Sequence, residues 1–375
     1  MNSRIEKLGD VIQSFDYMRK PLSTLDRNKR AKIFPYYGAN GIIDYVDDYI
    51  YDGNYLLMAE DGTVLTKNKY PVIFDVTGKF WVSNHAHVFK AKENIIDQKY
   101  LYYALRQTNI TPKVTGAVQM KLSQKNMNDI EIPVPYMAIQ RQISNILEKI
   151  DKKIECNNRT NDNLHEMCLL LYRELIDKTG GKKDLLKNHA KCILGGTPSR
   201  AKPEYWNGNI NWINSSEINR FRILKPSETI TKLGLKKTST TPLPAGTTVL
   251  AITGATLGQV SRLEVESCAN QSVIGVIPDK SLTNEYVYLD ILENINDIIG
   301  RQTGGAQQHI NKNDVETYEI MIPDAEELSI FETKVESLFG QIRNNCIENE
   351  RLTKLRDTLL PELLNGKIDI SNIDI

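Results

Sequence analysis

The sequence predicts a mixed α/β (α+β) protein: two related globular domains, each followed by a long helix. Three observations predict it. The chain repeats itself, since Thr115-Gly116-Ala117-Val118-Gln119 with Leu122 returns 188 residues later as Thr303-Gly304-Gly305-Ala306-Gln307 with Ile310. Two stretches of about 40 residues carry apolar positions at alternating spacings of three and four. Short β-branched and aromatic runs, punctuated by Gly, Pro, Asn and Asp, fill the rest.

A chain of 375 residues suits two or three domains. The boundaries expected are a first globular segment at 1–136, a helix at 137–180, a second globular segment at 181–325, and a helix with its tail at 326–375. The first segment holds the strand runs Val72-Ile73-Phe74 and Trp81-Val82 and a helical piece near Tyr100 to Gln107. Ile130-Glu131-Ile132-Pro133-Val134-Pro135 leads into the first long helix. Its seam reads Ile143, Ile146, Ile150, Lys153, Asn157, Thr160, Leu164, Met167 and Leu171, and Gly180-Gly181 supplies the stop.

The second segment holds Thr247-Thr248-Val249-Leu250-Ala251-Ile252, Ser272-Val273-Ile274-Gly275-Val276-Ile277 and a helical piece from Asn284 to Ile299. Asn84-His85-Ala86-His87-Val88 aligns with Asn270-Gln271-Ser272-Val273-Ile274, while elsewhere the two segments diverge. Ile320-Met321-Ile322-Pro323 matches Ile130-Glu131-Ile132-Pro133 and opens the second helix, where Asp324, Glu326 and Glu327 suit an N-terminus. Its seam is Val335, Leu338, Ile342, Asn345, Asn349, Leu352, Leu355 and Leu359, with Gly366 as the stop. The double three-residue step from Asn349 to Leu355 predicts a stammer.

Each helix of about 40 residues would be roughly 60 Å long at ~1.5 Å per residue. One apolar seam on so long a helix needs cover, either from the other helix or from a partner chain. Asn157, Asn345 and Asn349 would fix the register of such a pairing. The repeat itself reads either as a duplication kept for folding or as two copies serving two similar ligand sites.

Lys plus Arg equals Asp plus Glu at 47 each, which excludes a protein bound to nucleic acid by bulk charge alone. Locally, 1–136 has 18 basic against 15 acidic residues and 181–323 has 16 against 14, so both globular segments are mildly basic. No apolar run is long enough to span a membrane, and Met1–Asp10 lacks the apolar core of a signal peptide. Five scattered Cys without a Cys-x-x-Cys pair point to a reducing cytoplasm and away from a zinc site.

Catalytic motifs are missing. There is no Gly-x-x-x-x-Gly-Lys-Ser/Thr, Gly-x-Gly-x-x-Gly, Gly-x-Ser-x-Gly or His-Glu-x-x-His, and no Asn/Asp-Pro-Pro-aromatic element. The clusters Gly254-Ala255-Thr256-Leu257-Gly258 and Gly304-Gly305 read as turns. His85 and His87, two apart on an expected strand, share a face but lack a carboxylate or Cys to complete a metal set, so they read as a surface or nucleic-acid contact. Polar residues mix with aromatics in two expected loops, Phe34–Gly41 and Trp212–Glu217, a composition suited to base-edge and phosphate contacts.

The order of domains, the Thr-Gly-x-x-Gln-x-x-Leu/Ile and Ile-x-Ile-Pro edges, the helix opening Gln140-Arg141-Gln142-Ile143 and the ending Leu359-Leu360-Pro361-Glu362-Leu363-Leu364-Asn365-Gly366-Lys367 together resemble the specificity subunits of type I restriction–modification systems. Leu8-Gly9-Asp10-Val11 and Gly196-Thr197-Pro198-Ser199 look like the openings of that family's two target recognition domains. Leu243-Pro244-Ala245-Gly246-Thr247 with Asn270-Gln271 looks like its middle section, from which the first domain departs.

The resemblance implies that each globular domain reads one half of a bipartite double-stranded DNA target. It implies two helices packed as an antiparallel coiled coil that spaces the domains and docks two adenine methyltransferase subunits. S-adenosylmethionine, ATP and Mg would belong to the modification and the motor/nuclease subunits, leaving this chain without a cofactor, metal or catalytic residue. The DNA contacts expected are Tyr37, Asn40, Lys79, Asn84 and His85 in the first domain, and Arg200, Asn214, Ser215, Thr256 and Gln271 in the second. A two-headed protein-binding scaffold, or an unrecognised methyltransferase or nuclease, are the competing readings.

Overall fold

The computed structural model describes residues 3–116, 119–178, 182–300 and 309–368. The second repeat motif, Thr303–Gln307, and the Gly180-Gly181 stop lie outside them. The chain divides into two compact units, Met1–Lys153 with Leu352–Ile375, and Ile154–Arg351. The four longest helices among the described residues are α1 (Gln98–Leu105), α2 (Met137–Lys178), α3 (Asn284–Glu293) and α4 (Ala325–Leu364). Both long helices give one part to each unit.

The strands of the first unit are β1 (Ser3–Lys7), β2 (Ile12–Ser14), β3 (Phe34–Gly38), β4 (Gly41–Val46), β5 (Tyr51–Ala59), β6 (Ile73–Val82), β7 (Ala86–Ala91) and β8 (Glu131–Pro135). β1 and β8 pair with each other, and the rest form a six-stranded sheet in the order β2-β7-β5-β6-β3-β4. Only β3 and β6 run parallel in it. Asp97 caps α1 by accepting from Tyr100 N at 2.8 Å.

Gln140, buried on α2, is satisfied twice over: its Oε1 accepts from Asp97 N (2.7 Å) and its Nε2 donates to Pro135 O (2.8 Å). These bonds fix where the long helix leaves the sheet. Apolar residues of α1, β5 and β7 form the core together with Ile143 and Leu147 of α2 and with Leu360 and Leu363 of α4, each of the last two 1% exposed. Asp151 of α2 accepts from Tyr103 Oη (2.6 Å) and from Arg356 Nη1 of α4 (2.7 Å). α4 ends in a Schellman closure, with Lys367 N bonded to Glu362 O (2.9 Å), Gly366 N bonded to Leu363 O (3.1 Å), and Gly366 at φ +65°.

The second unit has β9 (Lys182–Leu185), β10 (Ala190–Leu194), β11 (Trp206–Ile213), β12 (Glu228–Ile230), β13 (Thr248–Ala251), β14 (Val260–Arg262), β15 (Cys268–Ala269), β16 (Val273–Pro278) and β17 (Glu319–Ile322). They pair as β9-β17, as β10-β16-β13-β14 and as β12-β11-β15. The plan repeats that of the first unit. Tyr286 Oη bonds Met321 O (2.8 Å) as Tyr100 Oη bonds Pro133 O (2.9 Å), and Leu186 N bonds Tyr318 O (2.8 Å) as Leu8 N bonds Ile130 O (2.7 Å). Ile132 therefore corresponds to Ile320, and Pro135 to Pro323. The sequence alignment of Ile130 with Ile320 is two residues off, because Ile-x-Ile-Pro occurs at slightly different places in two strands held by the same bonds.

In the second unit α2 and α4 run antiparallel through a polar layer. Asn157 Nδ2 donates to Asn349 Oδ1 (2.9 Å) and to Glu348 Oε2 (2.8 Å), while Asn345 Nδ2 donates to Asn161 Oδ1 (2.9 Å). Beyond that layer Cys168, Leu169, Tyr172 and Leu175 share a core with Leu328, Phe331, Val335 and Phe339. Half of the expected seam is correct. Ile143, Asn157 and Leu164 point inward, but Lys153, Thr160 and Met167 are exposed, and Leu147, Asn161 and Cys168 take their place. Leu355 is 48% exposed and Arg356 lies inward of it, so the predicted stammer is absent. The inward arc is shifted because α2 is covered on two sides, by α4 and by its own head: Tyr172 reaches Asp290 of α3 at 2.7 Å and Arg173 reaches Glu293 at 2.7 Å.

Asp290 is almost fully buried, and burial pushes its carboxyl up to about 6 despite the hydroxyls of Tyr172 and Tyr318. The folded state holds this proton more tightly than the unfolded chain does. The contribution of Asp290 to stability is thus fully present below pH ~4, declines as pH rises through about 6, and is lost above it. Asp290→Asn should remove that decline and raise the stability of this unit at pH 8 by up to about 3 kcal/mol, measured by denaturant titration at pH 4 and pH 8. A less stable variant at pH 8 would mean that the charged form is net favourable here.

Candidate nucleic-acid interface

In each unit one turn carries candidate residues. In the first it is Ser83–His85, between β6 and β7. Ser83 N bonds Tyr37 O at the end of β3 (2.9 Å), and Glu60 N at the end of β5 bonds His85 O (2.9 Å). His85 N bonds Ser83 Oγ (3.2 Å), which closes the turn. Arg19 braces it from below through Glu60 Oε2 (2.7 Å) and Ala86 O (2.9 Å).

In the second unit the turn is Asn270–Ser272, between β15 and β16. Asn270 N bonds Ile213 O at the end of β11 (3.0 Å), Ile252 N after β13 bonds Ser272 O (3.0 Å), and Ser272 N bonds Asn270 Oδ1 (3.1 Å). The parallel pairs agree, with Tyr37 opposite Val82 and Ile213 opposite Ala269. Ser83 thus corresponds to Asn270, Asn84 to Gln271 and His85 to Ser272. The expected alignment of Asn84 with Asn270 is one residue off, since Ser83 and Asn270 share a turn-closing role although only one of them is an Asn.

Asn84 and His85 are exposed on the first turn, and His85 Nδ1 lies 2.8 and 2.9 Å from the carboxylate oxygens of Asp61. His87 does not share its face. His85 precedes β7, whereas His87 lies inside it, buried between Asp16 (2.6 Å) and Leu122 O (2.8 Å). Among the described residues no group of three or more His, Cys, Asp or Glu could hold a metal ion.

Tyr37 is half-buried, edge-on to Phe80 at 5.7 Å, and burial raises its hydroxyl pKa. Asn40 is exposed at the tip of the β3–β4 hairpin. Phe34–Gly41, expected as a loop, is thus a strand and its turn, with Tyr36 buried beneath. Lys79 stands apart on β6, its Nζ 4.6 Å from the Tyr49 ring centre.

In the second unit Gln271 lies on the turn, and Asn214 and Ser215 follow Ile213, whose carbonyl the turn bonds. Gln271 Oε1 accepts from Thr197 Oγ1. Gly195 N bonds Val273 O (3.1 Å) and Gly196 N bonds Ala269 O (2.8 Å), so the segment leading to Arg200 passes alongside. Arg200 lies 3.6 Å over the Trp206 ring and forks onto Glu228 at 2.5 and 2.9 Å; its guanidinium holds the Glu228 carboxyl below the usual range. Asn214 follows β11 directly and caps Ser215–Glu217, accepting from Ser216 N (2.9 Å). Thr256 sits in the turn after β13, half-buried and bonded to Thr253 O (3.3 Å).

Sequence reasoning missed Arg19, Asp61 and Thr197, which hold the turns without lying beside them in sequence. Thr197 had a signal, since it stands in the Gly196-Thr197-Pro198-Ser199 motif. Polar amide and hydroxyl tips on rigid strand ends can offer hydrogen bonds to base edges, and the nearby cations can meet phosphates. No helix among the described residues is long and apolar enough to cross a membrane.

The sequence pattern of the type I restriction modification DNA specificity domain matches residues 2–166 and 186–356. A putative type I restriction enzyme specificity subunit of Haemophilus influenzae is 36% identical over 143 residues, 38% of this chain and 36% of that protein. A second Haemophilus influenzae specificity subunit is 31% identical over 50% of this chain and 42% of its own length. The matches therefore span well under half of these two relatives. An Escherichia coli type I specificity subunit is 28% identical over 69% of this chain and 70% of its own. The crystal structure of a type I S subunit from M. genitalium shares the fold at a TM-score of 0.59, with 13% identity, covering 97% of this chain and 96% of that one.

Proposed function

This chain belongs to the type I restriction–modification DNA specificity family, and from that premise we propose that its two heads each read one half of a bipartite duplex target. The carrying observation is that the same braced turn recurs in both heads with different side chains on it, which suits two readers of different sequence. The candidate contacts are Tyr37, Asn40, Lys79, Asn84 and His85, and Arg200, Asn214, Ser215, Thr256 and Gln271.

The chain is a reader and not a catalyst. Its long helices set the gap between half-sites and dock two adenine methyltransferase subunits, which carry S-adenosylmethionine. Motor/nuclease subunits supply the ATP- and Mg-dependent steps, and the complex works in the cytoplasm. Readers on separate heads reconcile specific binding with zero net charge, because mildly basic surfaces need act only locally.

The test is the pattern of methylated adenines in a host carrying this chain and its modification subunits. One split motif is expected, and replacing 181–325 with a different recognition head should change one half only. A change in both halves would refute separate readers. A complex without salt-dependent duplex binding would favour a protein-binding scaffold.

A further inference from the structure

We propose that Asn84 and Gln271 are one specificity position present twice, and that each reads an adenine in its own half-site. The inference rests on the DNA-reading function above and deepens it. The correspondence comes from the main chain: the residue before each amide bonds the end of β3 or β11, and the residue after each accepts from the end of β5 or from Ile252. The turn is closed in both heads by a side-chain oxygen, Ser83 Oγ or Asn270 Oδ1, that takes the N–H two residues on. The backbone is therefore pinned on both sides of one exposed residue. In both heads that residue is a carboxamide, although the flanking residues differ.

A carboxamide offers one acceptor and one donor side by side. Adenine's major-groove edge offers the complement, the N6 amino group and N7, whereas guanine presents two acceptors there. The surroundings of Gln271 strengthen the case. Thr197 Oγ1 donates to Gln271 Oε1, which fixes the oxygen end of the amide and leaves the Nε2 hydrogens and one oxygen lone pair for a base. Among the described residues no side chain bonds the Asn84 amide, so its whole edge is available. The bland alternative is a pair of solvated turn amides, and it predicts no change in specificity.

The experiment uses the full chain with its modification subunits, and reads duplex binding with every base tried at each half-site position, together with the methylation motif. Asn84→Ala should lower discrimination at a single A·T pair of one half-site by about 5- to 150-fold, and Gln271→Ala should do so at one A·T pair of the other. Asn84→Arg and Gln271→Arg should shift those pairs towards G·C. Thr197→Val should weaken the Gln271 pair and leave the Asn84 pair unchanged. If an alanine variant fails to fold, the isosteric Asn84→Asp and Gln271→Glu keep the turn and should move preference from adenine to cytosine.

Unchanged discrimination, relaxation at a G·C pair, effects in both half-sites from one substitution, or uniform weakening on all sequences would each overturn the proposal. A wild-type complex that reads no split target would instead sink the function on which it rests, so the two failures are distinct.

Discussion

Ending the chain at Arg351 should unfold the first unit and leave the second folded. The sequence places residues 352–375 more than 300 positions from β1, yet Leu360 and Leu363 are 1% exposed in the core built on α1, β5 and β7. Each buried Leu is worth about 2–5 kcal/mol by truncation to Ala. Removing both, with the half-buried Leu359 and Leu364 and the Arg356–Asp151 ion pair, approaches the ~5–15 kcal/mol that holds a typical domain together. Hydrogen exchange read segment by segment should show amides of β5–β7 losing protection while those of β13 and β16 keep theirs. The double variant Leu360→Ala with Leu363→Ala should give a milder form of the same asymmetry. Equal loss in both units would mean that the two do not fold as separate cooperative bodies.

Lengthening both long helices by four residues, after Asn158 and after Ile347, should widen the gap between half-sites by one or two base pairs without altering the bases read. Four residues add ~6 Å of helix, and duplex DNA rises ~3.4 Å per base pair. The sites are chosen so that Asn157 still meets Asn349 and Asn161 still meets Asn345, with the new residues between the two pairs. Four residues exceed one helical turn by a fraction of a residue, so slight unwinding is expected. Insertion in α2 alone would separate Asn161 from Asn345 and should lower stability, because it leaves partly buried amides without partners. The methylation motif of each variant decides the matter. An unchanged gap with full activity would show that the helices do not set the spacing, and altered half-site bases would show that they help to read DNA.

The candidate interface was partly legible in sequence. Asn84 and Gln271 stood out as polar residues before a strand, but their equivalence was hidden by a one-residue slip. Ser83 and Asn270 close the same turn with different side chains, so similarity of letters points to the wrong match. Arg19 left little trace, since it reaches its turn through space, while Thr197 showed only as part of the Gly196-Thr197-Pro198-Ser199 motif.

By itself the sequence determined the duplicated order of head and helix, the extent of the helices and the absence of catalytic motifs. These are local properties: a 3-4 apolar rhythm, prolines that start helices, and motifs of a few adjacent residues. Only the tertiary structure decided which column of the rhythm turns inward. On a helix the positions three and four residues on from a buried one flank it on opposite sides, and the surfaces packed against α2 favour Leu147, Asn161 and Cys168 over Thr160 and Met167. The tertiary structure also decided that the end of α4 completes the first core. Burial depends on what lies nearby in space, and no local pattern tells a distant leucine which of two related cores it will enter.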